Sequence, residues 1–424
     1  MMAFFSFRQS IIIESGYEQR ADMNSLIIEP IALANKNGQV TRSCHIVRID
    51  NGIEVDRQVL WFQFPETIDS PDAEDCDSYL LCILMDALTE AREIQIKGSV
   101  SLSLLSNLTE FQRAWHMLRP DLYSVVDITV DEIRKEIAEV EGAVCAFSGG
   151  VDSMFTAWQH SQKKNSYRTQ TINFCSLVHG FDIPLEDTEA FSEAFSRSES
   201  VLDDINIPLI PIKTNYREMT QAKWDYAHAI ALVGVLSNFK KKAGIILLGS
   251  TYPYSNLFTP WGSSPATDNL LGSNHFHVIH DGAAYTRTEK VNAIADWQVG
   301  IKYLRVCWQG AKKDRNCGCC EKCVRTQFNF LACGRDIPSC FPADTNLIAC
   351  LKTFTLNTSG LRGAWQQIHD HALASGIGES WRKEIIRLIR RSQPGLFSFS
   401  KKGYVRKKLR ARRKMKKQRA VSAK

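Results

Sequence analysis

Hydrophobic and polar positions alternate along three early stretches, 25–30, 45–49 and 58–64, and each predicts a β-strand rich in branched and aromatic residues. Residues 79–91 and 105–118 carry apolar positions at helical spacing, with a further short strand at 93–97 between them. Nothing in this stretch has the spacing of a catalytic constellation. Residues 1–140 therefore read as an α+β domain suited to partner docking.

From Gly142 the pattern changes. Short continuous apolar runs at 143–147, 172–178, 207–212 and 244–249 alternate with helical stretches starting at Asp152 and covering 186–202 and 223–242. Unbroken apolar strands separated by helices predict a parallel sheet covered on both faces, an α/β core. Residues 364–391 read as helical, interrupted by Gly376 and Gly378. The predicted organisation is a core domain over 141–335, a helical carboxyl-terminal region over 336–395 and a basic, unfolded tail over 396–424. No internal repeat is visible.

The 424 residues are 44% hydrophobic and 23% charged, enough for a sizeable core. The formal charge of +6 is local: residues 401–424 hold 13 basic and no acidic residues, which leaves 39 basic against 46 acidic in the rest. Such a tail can contact nucleic acid through phosphates, or can be a solvated end. No stretch has the roughly 18 apolar residues that a spanning helix needs. Arg8 interrupts the apolar patch near Met1 to Ile13, and no small-residue cleavage site follows. The expectation is a cytoplasmic protein whose 13 cysteines stay reduced, where clustered cysteines bind metal.

The first chemical signal is Phe147-Ser148-Gly149-Gly150-Val151-Asp152-Ser153, at the junction of a predicted strand and helix. There, backbone N–H groups and the helix dipole favour an anion. The glycines let the backbone close round phosphate oxygens, and Ser148 and Ser153 add hydroxyl donors. Asp152 should repel phosphate unless it holds a divalent cation or shapes the loop by accepting backbone N–H bonds. Gly-Lys-Ser/Thr is absent, so this is not a Walker loop. The second signal is Cys307, Cys317, Cys320 and Cys323, spaced C-x9-C-x2-C-x2-C. Four thiolates so placed can converge on one tetrahedral ion, with Gly318 allowing the tight turn. Zinc is expected, in a closed and therefore structural site. An iron–sulfur cluster is the alternative, and Cys319 could replace Cys320. Cys145, Cys175, Cys340 and Cys350 read as core thiols.

The loop resembles the signature of the N-type ATP pyrophosphatases, or PP-loop enzymes. Together with the cysteine cluster it resembles the 7-cyano-7-deazaguanine synthase (QueC) family over residues 142–333. That resemblance implies ATP and Mg2+, with Ser148 to Ser153 on the nucleotide, adenylation of 7-carboxy-7-deazaguanine, amide formation with ammonia, and dehydration to a nitrile. The chain departs from the family after Gly249, where Ser250-Thr-Tyr and Trp261-Gly-Ser-Ser-Pro265-Ala-Thr-Asp268 stand, and in its amino-terminal region and tail. These departures are similar to QueC-like (QatC-like) proteins of bacterial anti-phage systems, as are His179-Gly-Phe-Asp182, Leu304-Arg-Val-Cys307-Trp, Cys320-Glu-Lys-Cys323-Val-Arg-Thr326 and Arg119-Pro-Asp-Leu-Tyr123. In that subgroup the resemblance implies that the activated deazaguanine is joined to the N-terminus of a partner protein. The alternatives are ordinary nitrile synthesis for tRNA or DNA modification and, in another class, a nucleic-acid-binding PP-loop protein.

Single residues carry further expectations. Asp268 and Ser273 could contact substrate or could form a capped loop turn. Arg287 and Lys290, which with Glu289 precede a predicted helix, could neutralise phosphate or carboxylate charge. Ser250 follows a strand's carboxyl end, where ligands collect in open sheets. His179 could serve as a base or cap the strand end, and Asp182 could bond a ribose. Trp224, Tyr226 and His228 read as core or groove lining.

Overall fold

The computed structural model describes residues 24–393, apart from 136, 138, 163–166 and 258. The tail expected to be unfolded and Met1 to Ile13 lie outside the described residues. In chain order the strands are β1 (Ser25–Lys36), β2 (Gln39–Asp50), β3 (Ile53–Pro65), β4 (Glu93–Ser101), β5 (Ile128–Arg134), β6 (Ala143–Ala146), β7 (Ile172–His179), β8 (Leu209–Thr214), β9 (Ile245–Gly249) and β10 (His277–Asp281). The helices are α1 (Asp77–Glu90), α2 (Leu102–Leu118), α3 (Val151–Gln162), α4 (Thr188–Asp203), α5 (Tyr216–Met219), α6 (Trp224–Leu236), α7 (Arg287–Ile294), α8 (Gln298–Lys302), α9 (Glu321–Ala332), α10 (Leu347–Thr353), α11 (Ser359–Ala374) and α12 (Glu379–Arg391). The protein is thus of the mixed α/β class. Its described residues form two compact units, one of 24–148, 156–250 and 260–282, the other of 149–155, 251–259 and 283–393.

The first unit holds one mostly parallel ten-stranded sheet in the order β10-β9-β6-β7-β8-β3-β2-β1-β4-β5. The four expected core strands are present and parallel, joined by β10 at the edge. The amino-terminal strands do not stand apart from them. β8 pairs antiparallel with β3, through Phe62 with Thr214 and Gln63 with Lys213. Within this unit the amino-terminal Leu26, Ile28 and Leu60 also share one apolar core with Phe174, Ile246 and Val278. The boundary expected near residue 140 is therefore no boundary of the sheet. Helix α1 explains why: it is buried from Asp77 to Leu88 and packs on α6. Gly234 permits that approach, since a Cβ there would lie 2.7 Å from Cys82 Sγ.

A buried charge cluster locks this unit. Lys240 Nζ lies 3.0 Å from Asp77 Oδ2 and contacts Asp75, while Arg134 places Nη2 3.0 Å from Asp77 Oδ1 and Nη1 against Asp75. Burial alone would raise the Asp75 carboxyl, but Lys240 and Arg134 hold it far below its usual range. The expected helix over 223–242 stops early: α6 ends at Leu236 and a 3₁₀ turn follows, with Asn238 Oδ1 accepting from Arg42 at 2.5 Å.

In the second unit α9, α10, α11 and α12 close round Val324, Phe328, Trp365, Ile385 and Leu388. The helical region expected over 336–395 thus shares a core with α9, although α9 falls within the 141–335 stretch expected as the preceding domain. Gly376 and Gly378, both at positive φ, separate α11 from α12, the interruption read in the sequence.

Candidate functional site

The loop after β6 turns at Gly149, whose φ of +73° suits glycine. Helix α3 begins at Val151, which is buried. Within the loop, Ser153 Oγ donates to the Gly150 carbonyl at 3.1 Å, and Met154 N donates to the same oxygen at 2.9 Å. Ser148 is exposed and belongs to the first unit.

Helix α7 supplies two cations that meet Asp152. Thr286 caps it in a capping box with Glu289, so Arg287 and Glu289 sit in its first turn rather than before it. Arg287 and Lys290, three residues apart, share a face. Arg287 Nη1 donates to Asp152 Oδ2 at 2.5 Å, and Lys290 Nζ lies 3.5 Å from Asp152 Oδ1 and 5.8 Å from the Phe155 ring centroid. Burial would raise the Asp152 carboxyl, but Arg287, Lys290 and Lys322 outweigh it and hold it below its usual range. Asp152 therefore gathers cations here. Arg287 is only 7% exposed, yet its Nε and Nη2 have no hydrogen-bond partner among the described residues. A buried guanidinium with two unused donor nitrogens beside a helix N-terminus has the chemistry to bind anionic oxygens.

The cysteines form the second feature of this unit. The Sγ atoms of Cys307, Cys317, Cys320 and Cys323 all lie within 4.8 Å of one another, so they could hold one metal ion. The Cys307–Cys320 and Cys317–Cys323 separations are 3.8 and 3.9 Å. Tetrahedral Zn–S bonds of about 2.3 Å place sulfurs about 3.8 Å apart. Cys319 is exposed and outside this group, and Cys320 is in it. Hydrogen bonding to Cys323 pulls the Cys320 thiol down to about 7, towards the thiolate a metal needs. Gly318, at φ +79°, makes the turn; a Cβ there would lie 2.7 Å from Thr345 Oγ1. Cys145 and Cys175 are buried as expected, whereas Cys340 and Cys350 are only partly so.

Two further residues support the site. Asn316 accepts from the N–H groups of Val306 and Cys307 and donates to the carbonyls of Leu304 and Cys340, bracing the cysteine loop from within. The N–H of Arg305 donates to the Gly149 carbonyl at 2.8 Å, tying the chain before Cys307 to the glycine loop. No spacing rule marks either residue.

The other predicted residues lie in the first unit. His179 ends β7, buried; its Nε2 donates to the Pro184 carbonyl at 2.9 Å and its ring stacks on Phe191 at 4.2 Å. It caps the strand end. Asp182 is exposed, and Ser250 is buried with its N–H on the Asp281 carbonyl. Asp268 is wholly buried. Its Oδ1 accepts from Ser264 N at 2.9 Å, and its Oδ2 meets Ser263 Oγ and His280 Nδ1 at 2.7 and 2.8 Å. It thereby holds the 263–268 turn. Ser273 Oγ accepts from His275 N at 3.1 Å, so it too shapes a turn. Trp224, His228, Trp261 and Phe181 form a half-buried aromatic cluster, and Arg119 stacks on Tyr226.

A cavity of about 680 Å³ also lies in the second unit, lined by Asp296, Lys302, Phe330 and Arg335 among others. None of the predicted site residues lines it, so it does not displace the loop as candidate. Among the described residues no helix is long and apolar enough to cross a membrane. No family model, curated protein or solved structure matches the chain.

Proposed function

We propose that the chain binds ATP at the loop containing Gly149 to Ser153 and uses it, with AMP formation, to activate the carboxylate of a 7-carboxy-7-deazaguanine-type substrate for amide formation with an amine. The single observation that carries the nucleotide step is the half-satisfied guanidinium of Arg287, held by Asp152 beside the helix start. The deazaguanine and the amine rest on the resemblance of the loop and cysteine cluster to the QueC-like proteins.

The carboxylate oxygen attacks the α-phosphorus, the bond to the β-phosphate oxygen breaks, and pyrophosphate leaves. Arg287 and Lys290 offset the charge on the departing oxygens, while magnesium accompanies the nucleotide. A neutral amine then attacks the acyl carbon, AMP leaves with the carboxylate's former oxygen, and the amine gives up a proton. The four cysteines would hold zinc with every position filled by sulfur, so the metal fixes the fold of the knuckle. The amine is the N-terminus of a partner protein in anti-phage defence, supported by the departures from the synthase after Gly249.

The test is incubation of the full chain with ATP, magnesium and 7-carboxy-7-deazaguanine, with and without the products of neighbouring genes, followed by mass spectrometry. A deazaguanine–protein adduct with one AMP per adduct is the expected result. A free nitrile formed with ammonium alone would favour ordinary synthase activity, and no AMP under any condition would sink both.

A further inference from the structure

Helix α12 has two unlike faces. Ile385, Leu388 and Ile389 are buried in the core of the second unit. The other face turns Arg382, Lys383, Arg387 and Arg390, with His369 of α11, towards an open groove of about 370 Å³. Among the described residues, Glu379 is the sole acidic one lining that groove. It pairs with Lys383 at 2.8 Å, and Arg387 pairs with Glu384. Exposed pairs of this kind contribute little and exchange readily for another anion. Arg390 has no carboxylate partner, and Arg382 Nε is buried without a hydrogen-bond partner, among the described residues.

The shape of this charge decides its partner. Arg382 to Arg390 spans about 12 Å at 1.5 Å per residue. That equals the axial length of three to four phosphates of one nucleic-acid strand at about 3.4 Å each. Ten residues beyond Arg391 the sequence enters the 401–424 stretch with its 13 basic and no acidic residues. An interfacial membrane helix needs an apolar face free to enter the lipid. In α12 that face is already buried, and only the cations are offered.

We propose that the α11–α12 groove is a phosphate-backbone contact surface for nucleic acid. It lies ahead of the basic 401–424 stretch of the sequence and is independent of the ATP site. It confers no sequence preference, because the groove offers charge and no array of base-reading amides.

The test uses the full chain and a fluorescent 30-nucleotide single strand, titrated between 50 and 300 mM salt. The variant Lys383→Gln/Arg387→Gln/Arg390→Gln changes only exposed positions, and thermal melting checks its fold. It should bind at least tenfold more weakly at the lowest salt, with the logarithmic salt slope reduced by about 0.7 per lost contact. The same substitutions in a chain whose 401–424 basic residues are all Gln should abolish the remaining binding. Unchanged affinity and slope in both backgrounds would overturn the proposal. So would binding to phosphatidylglycerol vesicles with none to the oligonucleotide.

Discussion

The N–H of Arg305 donates to the carbonyl of Gly149 at 2.8 Å, so the glycine loop is bonded to the segment that carries Cys307 two residues later. On the far side of the knuckle, Cys323 sits in the first turn of α9, and Asn329 of that helix accepts from Thr288 of α7 at 2.7 Å. The cysteine cluster and the Arg287–Asp152 pair are thus built into one unit through two separate contacts. A metal held by the cysteines would act on the loop through position alone.

If zinc sits at the cysteines and ATP at the glycine loop, as proposed, metal removal should weaken nucleotide binding through these contacts alone. Chelator-treated protein should bind a fluorescent ATP analogue about tenfold or more weakly, with recovery on adding zinc. Equal affinity with and without metal would show the two features to be uncoupled.

Cys319 and Cys320 should separate cleanly. Cys320→Ser or Cys323→Ser should lose the bound metal, because three thiolates leave one position open. Cys319→Ser should keep full stoichiometry, since its exposed sulfur lies outside the group. Metal analysis of purified protein decides this, and its visible spectrum distinguishes zinc from iron.

Arg287→Ala should lower kcat/KM for ATP-dependent AMP formation by roughly 10²–10³-fold, the range for removing one charge-stabilising donor. Arg287→Lys should recover only part, because an ammonium lacks the planar fork that serves Asp152 and a phosphate together. Asp152→Asn should act in the same direction by releasing Arg287. Its carboxyl, held below the ordinary aspartate range by Arg287 and Lys290 against burial, stays ionised at neutral pH, so an acid limb of activity near neutrality should not be its titration.

Stability should fall as pH drops below about 6.5. Burial holds His179 below its ordinary value, despite the opposing bond to the Pro184 carbonyl, and burial likewise lowers His228 and His275. Below about 6.5 the unfolded chain takes up protons that these native imidazoles refuse, so acid favours unfolding until the native values are reached. Melting temperature against pH should show this decline, with a shallower slope in His179→Gln, which can still donate to Pro184. A slope unaltered by that substitution would remove His179 as a contributor.

Much of the fold was legible from local pattern. The apolar runs at 143–147, 172–178, 207–212 and 244–249 became β6, β7, β8 and β9, because buried parallel strands are apolar throughout. The strands missed were β5 and β10. β5 is an edge strand with mostly polar, exposed positions, and β10 reads His-Val-Ile-His-Asp, where side-chain chemistry hides the period. The pairing of β3 with β8 was not legible, since it joins residues about 150 apart and depends on α1 finding α6.

The sequence by itself determined which residues could carry chemistry: a strand–glycine–helix loop and four cysteines at ligand spacing, both set by covalent geometry over a few residues. It left open what Asp152 faces, which neighbouring thiol joins the cysteine cluster, and which groups Asp268 bonds. Only the tertiary structure decided these, because each depends on groups brought together from distant segments. Arg287 and Lys290 reach Asp152 across about 135 residues, His280 meets Asp268 from the next strand, and Gly318 turns the chain so that Cys320 faces Cys307 and Cys319 faces solvent.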